Sequence, residues 1–347
     1  MHRLLAATLA ALLALPLLAA GAGHPDRTAA LRGVEFIRTT QQPDGGFGPF
    51  GQTMDAIYAI RAAGLDPNTF AAGGNSPAAY LRSNAPSATK PANAAKAALG
   101  ARALGLDPRN IEGTDLITAI ENGFAPDTGR FAEDDFSQSI AMLGLACSGV
   151  ATPSTAIRAL REAQAADGGW GFGGFSDPDT TAIALQALVA SGVPRGDSSI
   201  VKGVAYLRAT QAADGGWGYG GDSNASSTAF VVQGLVASGE QVESATYAKG
   251  KASPVTFLLA QQNPDGSFKG FDAAFATNQA VPALAARGFC ETSTTPITPA
   301  PALTPPKPPA TGSGLAAIPS QGGMLVVVGL ALVTAGSAAL TLRRSQR

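Results

Sequence analysis

One short stretch constrains this chain more than its composition does. Gln164-Ala-Ala-Asp167-Gly168-Gly169-Trp170-Gly171 returns as Gln211-Ala-Ala-Asp214-Gly215-Gly216-Trp217-Gly218. Looser copies are Gln41-Gln-Pro-Asp44-Gly45-Gly46-Phe47-Gly48 and Gln261-Gln-Asn-Pro-Asp265-Gly266-Ser267-Phe268, and a degenerate one is Pro126-Asp127-Thr-Gly129-Arg-Phe131. Apolar-periodic segments precede and follow each copy, so the chain is a repeat array whose unit must be read before any single residue. Asp-Gly after a helical run is a turn signal: Asp bonds nearby backbone N–H groups, and Gly accepts the left-handed conformation that ends helices. The aromatic is then placed to pack over the gap between two helix ends, and the Gln to bond loop backbone. Asp44, Asp167, Asp214 and Asp265, with Trp170 and Trp217, are therefore read as a structural motif.

Between residues 26 and 291 this unit divides the chain into six helix pairs. The first helices are expected at 28–39, 77–83, 114–122, 154–164, 198–210 and 254–261. The second are expected at 53–63, 93–104, 137–146, 180–190, 227–237 and 278–286. Ser, Thr or Asn opens each second helix as an N-cap would, and a Gly closes each: Gly64, Gly105, Gly149, Gly192, Gly239 and Gly288. No stretch alternates apolar and polar residues for long, so almost no strand is expected. The second helices are the more apolar and Ala-rich, the first the more charged (Arg158, Arg161, Glu162). An inner ring of second helices inside an outer ring of first helices follows. Closure would hide both end faces, which explains why no polar capping repeat is evident. The expected fold is all-α, a single α/α toroid of six helical hairpins.

The ends read differently. Residues 1–22 have a charged start, an apolar run and a small-residue end, the pattern of a secretory signal peptide. Residues 292–323 form a Pro-rich spacer. Residues 324–342 are apolar over about 19 positions, enough for a transmembrane helix, and 343–347 form a basic tail that favours the cytoplasmic side. The body is thus expected to be exported and tethered to the cell membrane. Pro309-Ala310-Thr311-Gly312 with the apolar segment and basic tail resembles a cell-wall sorting signal, with Pro308 where that motif has Leu, so anchoring to the wall is the alternative.

Acidic and basic residues nearly cancel, 25 against 24, which offers no basic face for nucleic acid. The only histidines are His2 and His24. No His-containing catalytic set can therefore exist in the body, and neither a zinc site nor any other cofactor is expected. Cys147 and Cys290 are either a disulfide, as an exported pair allows, or two small buried residues set far apart round the ring.

The Gln–Asp–Gly–Gly–Trp signature followed by Asp177-Pro178-Asp179-Thr180-Thr181-Ala182 resembles the repeat of the terpene cyclase and protein prenyltransferase superfamily. That resemblance covers about residues 30–290 and implies an α/α toroid, a barrel shared with cobalamin carriers. Cyclases of the family that start by protonation carry Asp-x-Asp-Asp-Thr-Ala; Asp179 falls at the proton donor's position, and Thr180 replaces the third acid. A donor must be neutral and dry, whereas a helix N-terminus favours the charged form. Asp179 is thus read first as an N-cap, and Asp177/Asp179 as catalytic only in the alternative. The cyclases in view pair two toroids, and one is present here. Glu133-Asp134-Asp135 with Asp177/Asp179 would suit a glycosidase pair or calcium, with the same capping explanation standing against both.

Aligned by the closing Gly, the inner helices place Asp55, Lys96, Ile140, Ile183, Phe230 and Gln279 at one level, and Tyr58, Leu99, Leu143, Gln186, Gln233 and Pro282 at the next. Asp55, Tyr58, Lys96, Gln186, Phe230, Gln233 and Gln279 are the expected lining for a small apolar or amphipathic ligand. Asp55 and Lys96 are expected to pair, since either charge alone would be costly if buried. The reading is a surface-displayed, non-enzymatic toroid that binds a ligand or surface partner; the alternative is an isoprenoid cyclase-like enzyme.

Overall fold

The computed structural model describes residues 26–294. Six helix pairs follow one another: α1 (Arg27–Thr39) and α2 (Phe50–Ala62); α3 (Pro77–Asn84) and α4 (Pro91–Ala103); α5 (Leu116–Glu121) and α6 (Asp135–Cys147); α7 (Ser154–Glu162) and α8 (Pro178–Ala190); α9 (Ser198–Thr210) and α10 (Ala225–Ala237); α11 (Pro254–Gln261) and α12 (Ala273–Leu284). Helices α2, α4, α6, α8, α10 and α12 each pack on the next, and α12 packs back on α2, so the inner ring closes. The outer helices lie against it, α1 on α12, α5 on α4, α9 on α8 and α11 on α10. Closure is sealed between chain ends by Asp26 N–H to Leu284 O (3.2 Å) and Gln262 Nε2 to Ala29 O (2.9 Å). The toroid expected from the repeat is the observed architecture. The predicted signal peptide, most of the spacer, the predicted transmembrane segment and the basic tail lie outside the described residues. Among the described residues no helix is long and apolar enough to cross a membrane.

Inner helices touch through small residues. A Cβ on Gly144 would sit 2.5 Å from the Ala95 Cβ, and one on Gly234 would sit 2.7 Å from the Ala182 carbonyl oxygen, so any larger residue would force the backbones apart. Leu185 faces outward against Gly203 of α9 and Trp170.

The repeat loop works as its residues suggest. The Asp44, Asp167, Asp214 and Asp265 carboxylates each accept the N–H two residues on, at 2.9–3.0 Å. Gly45, Gly168, Gly215 and Gly266 take φ near +90°, the left-handed region open to Gly. Gln164 Nε2 donates both to Gly168 O and to Ser199 O on the next outer helix, each at 2.8 Å; Gln262 does likewise, and Gln211 donates to Gly215 O and to Tyr247 O ahead of α11. The Trp170 and Trp217 indole N–H groups donate to Leu160 O and Leu207 O, both at 2.7 Å, and both rings are fully buried. Thr181 and Thr228 add a component the repeat reading passed over: each hydroxyl accepts the Trp N–H at 2.9 Å.

Four expectations need correction. The N-caps are not the Ser, Thr or Asn of the inner helices. Asp134, Asp177, Asn224 and Asp272 cap α6, α8, α10 and α12, while Pro49 and Lys90 precede α2 and α4, so the helices begin several residues earlier. Gly288 does not close α12: Ala286, at φ +50°, takes that place, and Gly288 belongs to the turn that follows. A small sheet exists: β1 (Trp170–Phe172) pairs antiparallel with β2 (Phe175–Asp177) across Gly173-Gly174, both at positive φ, the two-residue turn that hairpin twist favours. Finally, a thirteenth helix, α13 (Phe289–Thr294), packs on α2, α4 and α6. It crosses the rim formed by the C-terminal ends of the inner helices. That chord brings Cys290 to Cys147, and the two form a disulfide with their Cα atoms 4.7 Å apart. A ring without a chord would have kept them apart.

Candidate functional site

The N-terminal ends of the inner helices converge at the other rim, where the acids gather. Asp177 caps α8, its carboxylate accepting the Thr180 N–H at 2.8 Å. Asp179, in the first turn, does not cap. Its Oδ1 is buried without a hydrogen-bond partner. Burial, with a smaller contribution from the Asp177 charge, pushes the Asp179 pKa up from 3.8 to about 6, against the opposing effect of the Ser227 hydroxyl on neighbouring α10. Burial outweighs the helix dipole that sequence reasoning placed first. Thr180 in place of a third acid removes one neighbouring charge.

Asp134 and Asp135 are accounted for structurally, and Glu133 has neither a cap nor an ion pair among the described residues. Asp134 caps α6, accepting from the Ser137 N–H at 2.7 Å. Asp135 is paired with Arg130 at 2.7 Å; burial raises its pKa while Arg130 opposes the shift. Among the described residues no group of three or more His, Cys, Asp or Glu side chains is placed to hold a metal ion.

Aromatic rings gather toward the same rim. Phe136 of α6 and Phe275 of α12 occupy the level of Asp179 on their own helices, and both meet Phe230 of α10. The Phe136–Phe230 centroids are 6.0 Å apart at 88°, and the Phe230–Phe275 centroids are 6.3 Å apart. Phe136 and Phe230 belong to helices separated by α8, so they meet across the ring in front of it. Phe136, Phe275 and Ser227 were not singled out in the sequence. The signal was there in two Phe residues at the register of Asp179, but the alignment was read only at deeper levels.

Those deeper levels are packed. Lys96 Nζ lies 3.0 Å from both oxygens of Asp55. The Tyr58 hydroxyl donates to Gln233 Oε1 at 3.4 Å, and Gln233 Nε2 to Gln279 O at 3.2 Å, a polar chain spanning α2, α10 and α12. Phe230, Gln233, Gln279 and Gln186 are buried. The rim beyond is covered by α13: the Phe289 ring stacks on Tyr58 with centroids 4.5 Å apart, and the Phe289 N–H donates to Gln186 Oε1 at 3.1 Å. The structure thus sets Asp179, Phe136 and Phe275 at one rim. Asp55, Lys96 and Phe230 lie one turn further in, and Tyr58, Gln186 and Gln233 lie under the other rim.

Comparison with known proteins follows this geometry. Residues 137–282, which include α8 and Asp179, match the squalene-hopene cyclase C-terminal domain family. No curated protein matches the chain. Among solved structures, the type II terpene cyclase MstE from Scytonema superposes with a TM-score of 0.55 at 16% identity, covering 74% of this chain and 96% of that one. An MstE variant in complex with geranylgeranyl dihydroxybenzoate, its substrate, gives 0.57 at 16% identity, covering 76% and 97%. The ent-copalyl diphosphate synthase from Streptomyces platensis gives 0.50 at 20% identity, covering 68% of this chain and 50% of that one. The match spans nearly all of MstE. In fold the chain is an α/α toroid like that of the type II terpene cyclases, and residues 137–282 are similar to the squalene-hopene cyclase C-terminal domain.

Proposed function

We propose that this chain is an isoprenoid cyclase-like toroid in which Asp179 is the general acid. One observation carries the reading: a half-buried Asp179 whose Oδ1 is buried and unpartnered and whose pKa is raised to about 6, on the rim where Phe136 and Phe275 meet Phe230. In the proposed step the Asp179 proton passes to one carbon of an alkene. A C–H bond forms, the π bond breaks, and the cation left on the neighbouring carbon is attacked by the next double bond of the same molecule. Loss of a proton to water ends the reaction. Aromatic faces stabilise such cations, and a dry site keeps water from quenching them early. The Cys147–Cys290 disulfide supports placing the toroid in an oxidising compartment outside the cytoplasm. The apolar segment 324–342 is proposed as its membrane anchor.

A second reading rests on a separate observation. The polar chain Tyr58–Gln233–Gln279 and the covering helix α13 fill the ring below Phe230, which suits retention of an apolar ligand without turnover. One experiment separates the two. The full chain is incubated with linear polyprenyl substrates, squalene among them, and the products analysed by mass spectrometry. The cyclase reading expects a product of unchanged mass and altered retention, formed more slowly above pH 6 and abolished by Asp179→Asn. Bound but unconverted substrate, equal in the native chain and in Asp179→Asn, would overturn it in favour of retention.

A further inference from the structure

At the covered rim Gln186 carries a buried donor without a partner, as do Arg61 (Nε), Arg102 (Nε), Ser148 (Oγ) and Arg287 (Nε) at the ends of the inner helices, and Gln186 is the one of these that lines a pocket. Gln186 on α8 is only 2% exposed. Its Oε1 accepts the Phe289 N–H at 3.1 Å, which fixes the way the amide faces. Nε2 is then the remaining donor, and it is buried with no hydrogen-bond partner. Buried N–H groups are paired in nearly all native proteins, and one that is not calls for an explanation. Gln186 belongs to the lining of a small pocket of about 70 Å³, whose apolar walls include Leu143, Val189, Ala190, Ala237 and Phe289. Cys290 lines it as well, so the disulfide to Cys147 ties one wall to α6.

We propose that this pocket is a small-molecule site, separate from the Asp179 rim, for a compact and largely apolar molecule carrying one hydrogen-bond acceptor oxygen. Gln186 Nε2 receives that oxygen, and the aliphatic and Phe289 walls take the apolar body. Arg195 and Glu291 also line the pocket and are engaged, Arg195 donating to Ala237 O and Glu291 accepting the Gly288 N–H. A largely apolar pocket with a few polar groups is the usual makeup of such sites. A site built around one donor rejects an analogue lacking the acceptor, because the donor is then left unpaired. Reduction of the disulfide frees the α13 wall and weakens the site.

The test uses acetophenone and ethylbenzene, near-equal in shape and differing in the carbonyl oxygen, each titrated into the full chain by ligand-observed NMR. Saturable acetophenone binding is expected, with ethylbenzene weaker by roughly tenfold. Gln186→Met should bring the two probes level. Ala190→Leu, which fills the pocket and leaves the Gln186–Phe289 bond, should abolish both while the thermal midpoint and the disulfide persist. It keeps the test decisive should Gln186→Met fail to fold. Asp179→Asn should change neither affinity, so failure here and failure of the acid reading are separate results. Equal affinities in the native chain, binding indifferent to Ala190→Leu, or no saturable binding because water alone meets the donor would each overturn the proposal.

Discussion

The two rims of the ring are built from the same six helices and held in opposite ways. At the N-terminal rim, stitching is local and repeated: Gln, Asp, Gly, an aromatic and a Thr close four of the six loops, Gln164 and Gln262 reach to the next outer helix, and Gln211 reaches Tyr247 ahead of α11. At the C-terminal rim it is singular and long-range: one short helix, one stacked ring and one disulfide joining residues 143 positions apart. The first rim also gathers orphan helix N–H groups and dipoles, which draw acids. Asp134, Asp135, Asp177 and Asp272 there each have a cap or an ion pair; among the described residues Glu133 and Asp179 have neither, and of those two Asp179 has the buried, unpartnered oxygen. Repetition makes a rim robust, and the one residue that departs from the repeat's logic marks where chemistry can reside.

Removing the singular tie should cost most. Cys147→Ser with Cys290→Ser opens a loop of 143 residues, and the chain-entropy estimate is a loss of about 5 kcal/mol in denaturant unfolding. Hydrogen exchange should quicken at α13 and at the Tyr58–Gln233 level while the N-terminal rim stays protected. Breaking one local stitch should come next. Trp217→Ala removes a fully buried ring and its bond to Leu207, at about 3 kcal/mol, with faster exchange confined to α9, α10 and their loop. Loosening spread around the whole ring in Trp217→Ala would erase the distinction between the rims.

Asp179→Asn sharpens the comparison through its sign. The folded carboxyl holds its proton up to about pH 6 against 3.8 for the ordinary group, so the native state binds the extra proton between those values. Stability therefore falls as pH rises through that window, and the full cost remains above it. The amide never ionises. Asp179→Asn should match the native chain at pH 4 and exceed it by about 2 kcal/mol at pH 8, read from denaturant midpoints. The smallest effect is expected from Asp177→Ala, which removes the α8 cap at about 1 kcal/mol. It also removes a charge that raises the Asp179 pKa.

The ring was legible in the sequence because its signals are periodic and local. The Asp-Gly turns, the Gln reaching into loop backbone and the apolar inner helices all follow from residues a few positions apart. The errors fall where a long-range fact decides. Gly288 looks like a sixth closing Gly, but Ala286 closes α12 and frees Gly288 for the turn into α13. Cys147 and Cys290 look distant on a ring and are joined once a chord crosses it. Asp179 looks like a helix-terminal acid favoured in its charged form. Only packing against α10 reveals the carboxyl oxygen that nothing satisfies. Burial is set by neighbours remote in sequence, and no local pattern carried it. The Gly-Gly turn of the β1–β2 hairpin was readable but was outweighed by the helical character of everything around it.

The most direct test is the protonation of that carboxyl. In the full chain labelled with ¹³C at Asp side-chain carbons, the resonance that disappears in Asp179→Asn is followed as pH is raised. A midpoint near 6 is the result expected here. A midpoint at or below 4 would mean a charged, solvated or fully paired Asp179, and a toroid with no acid to give.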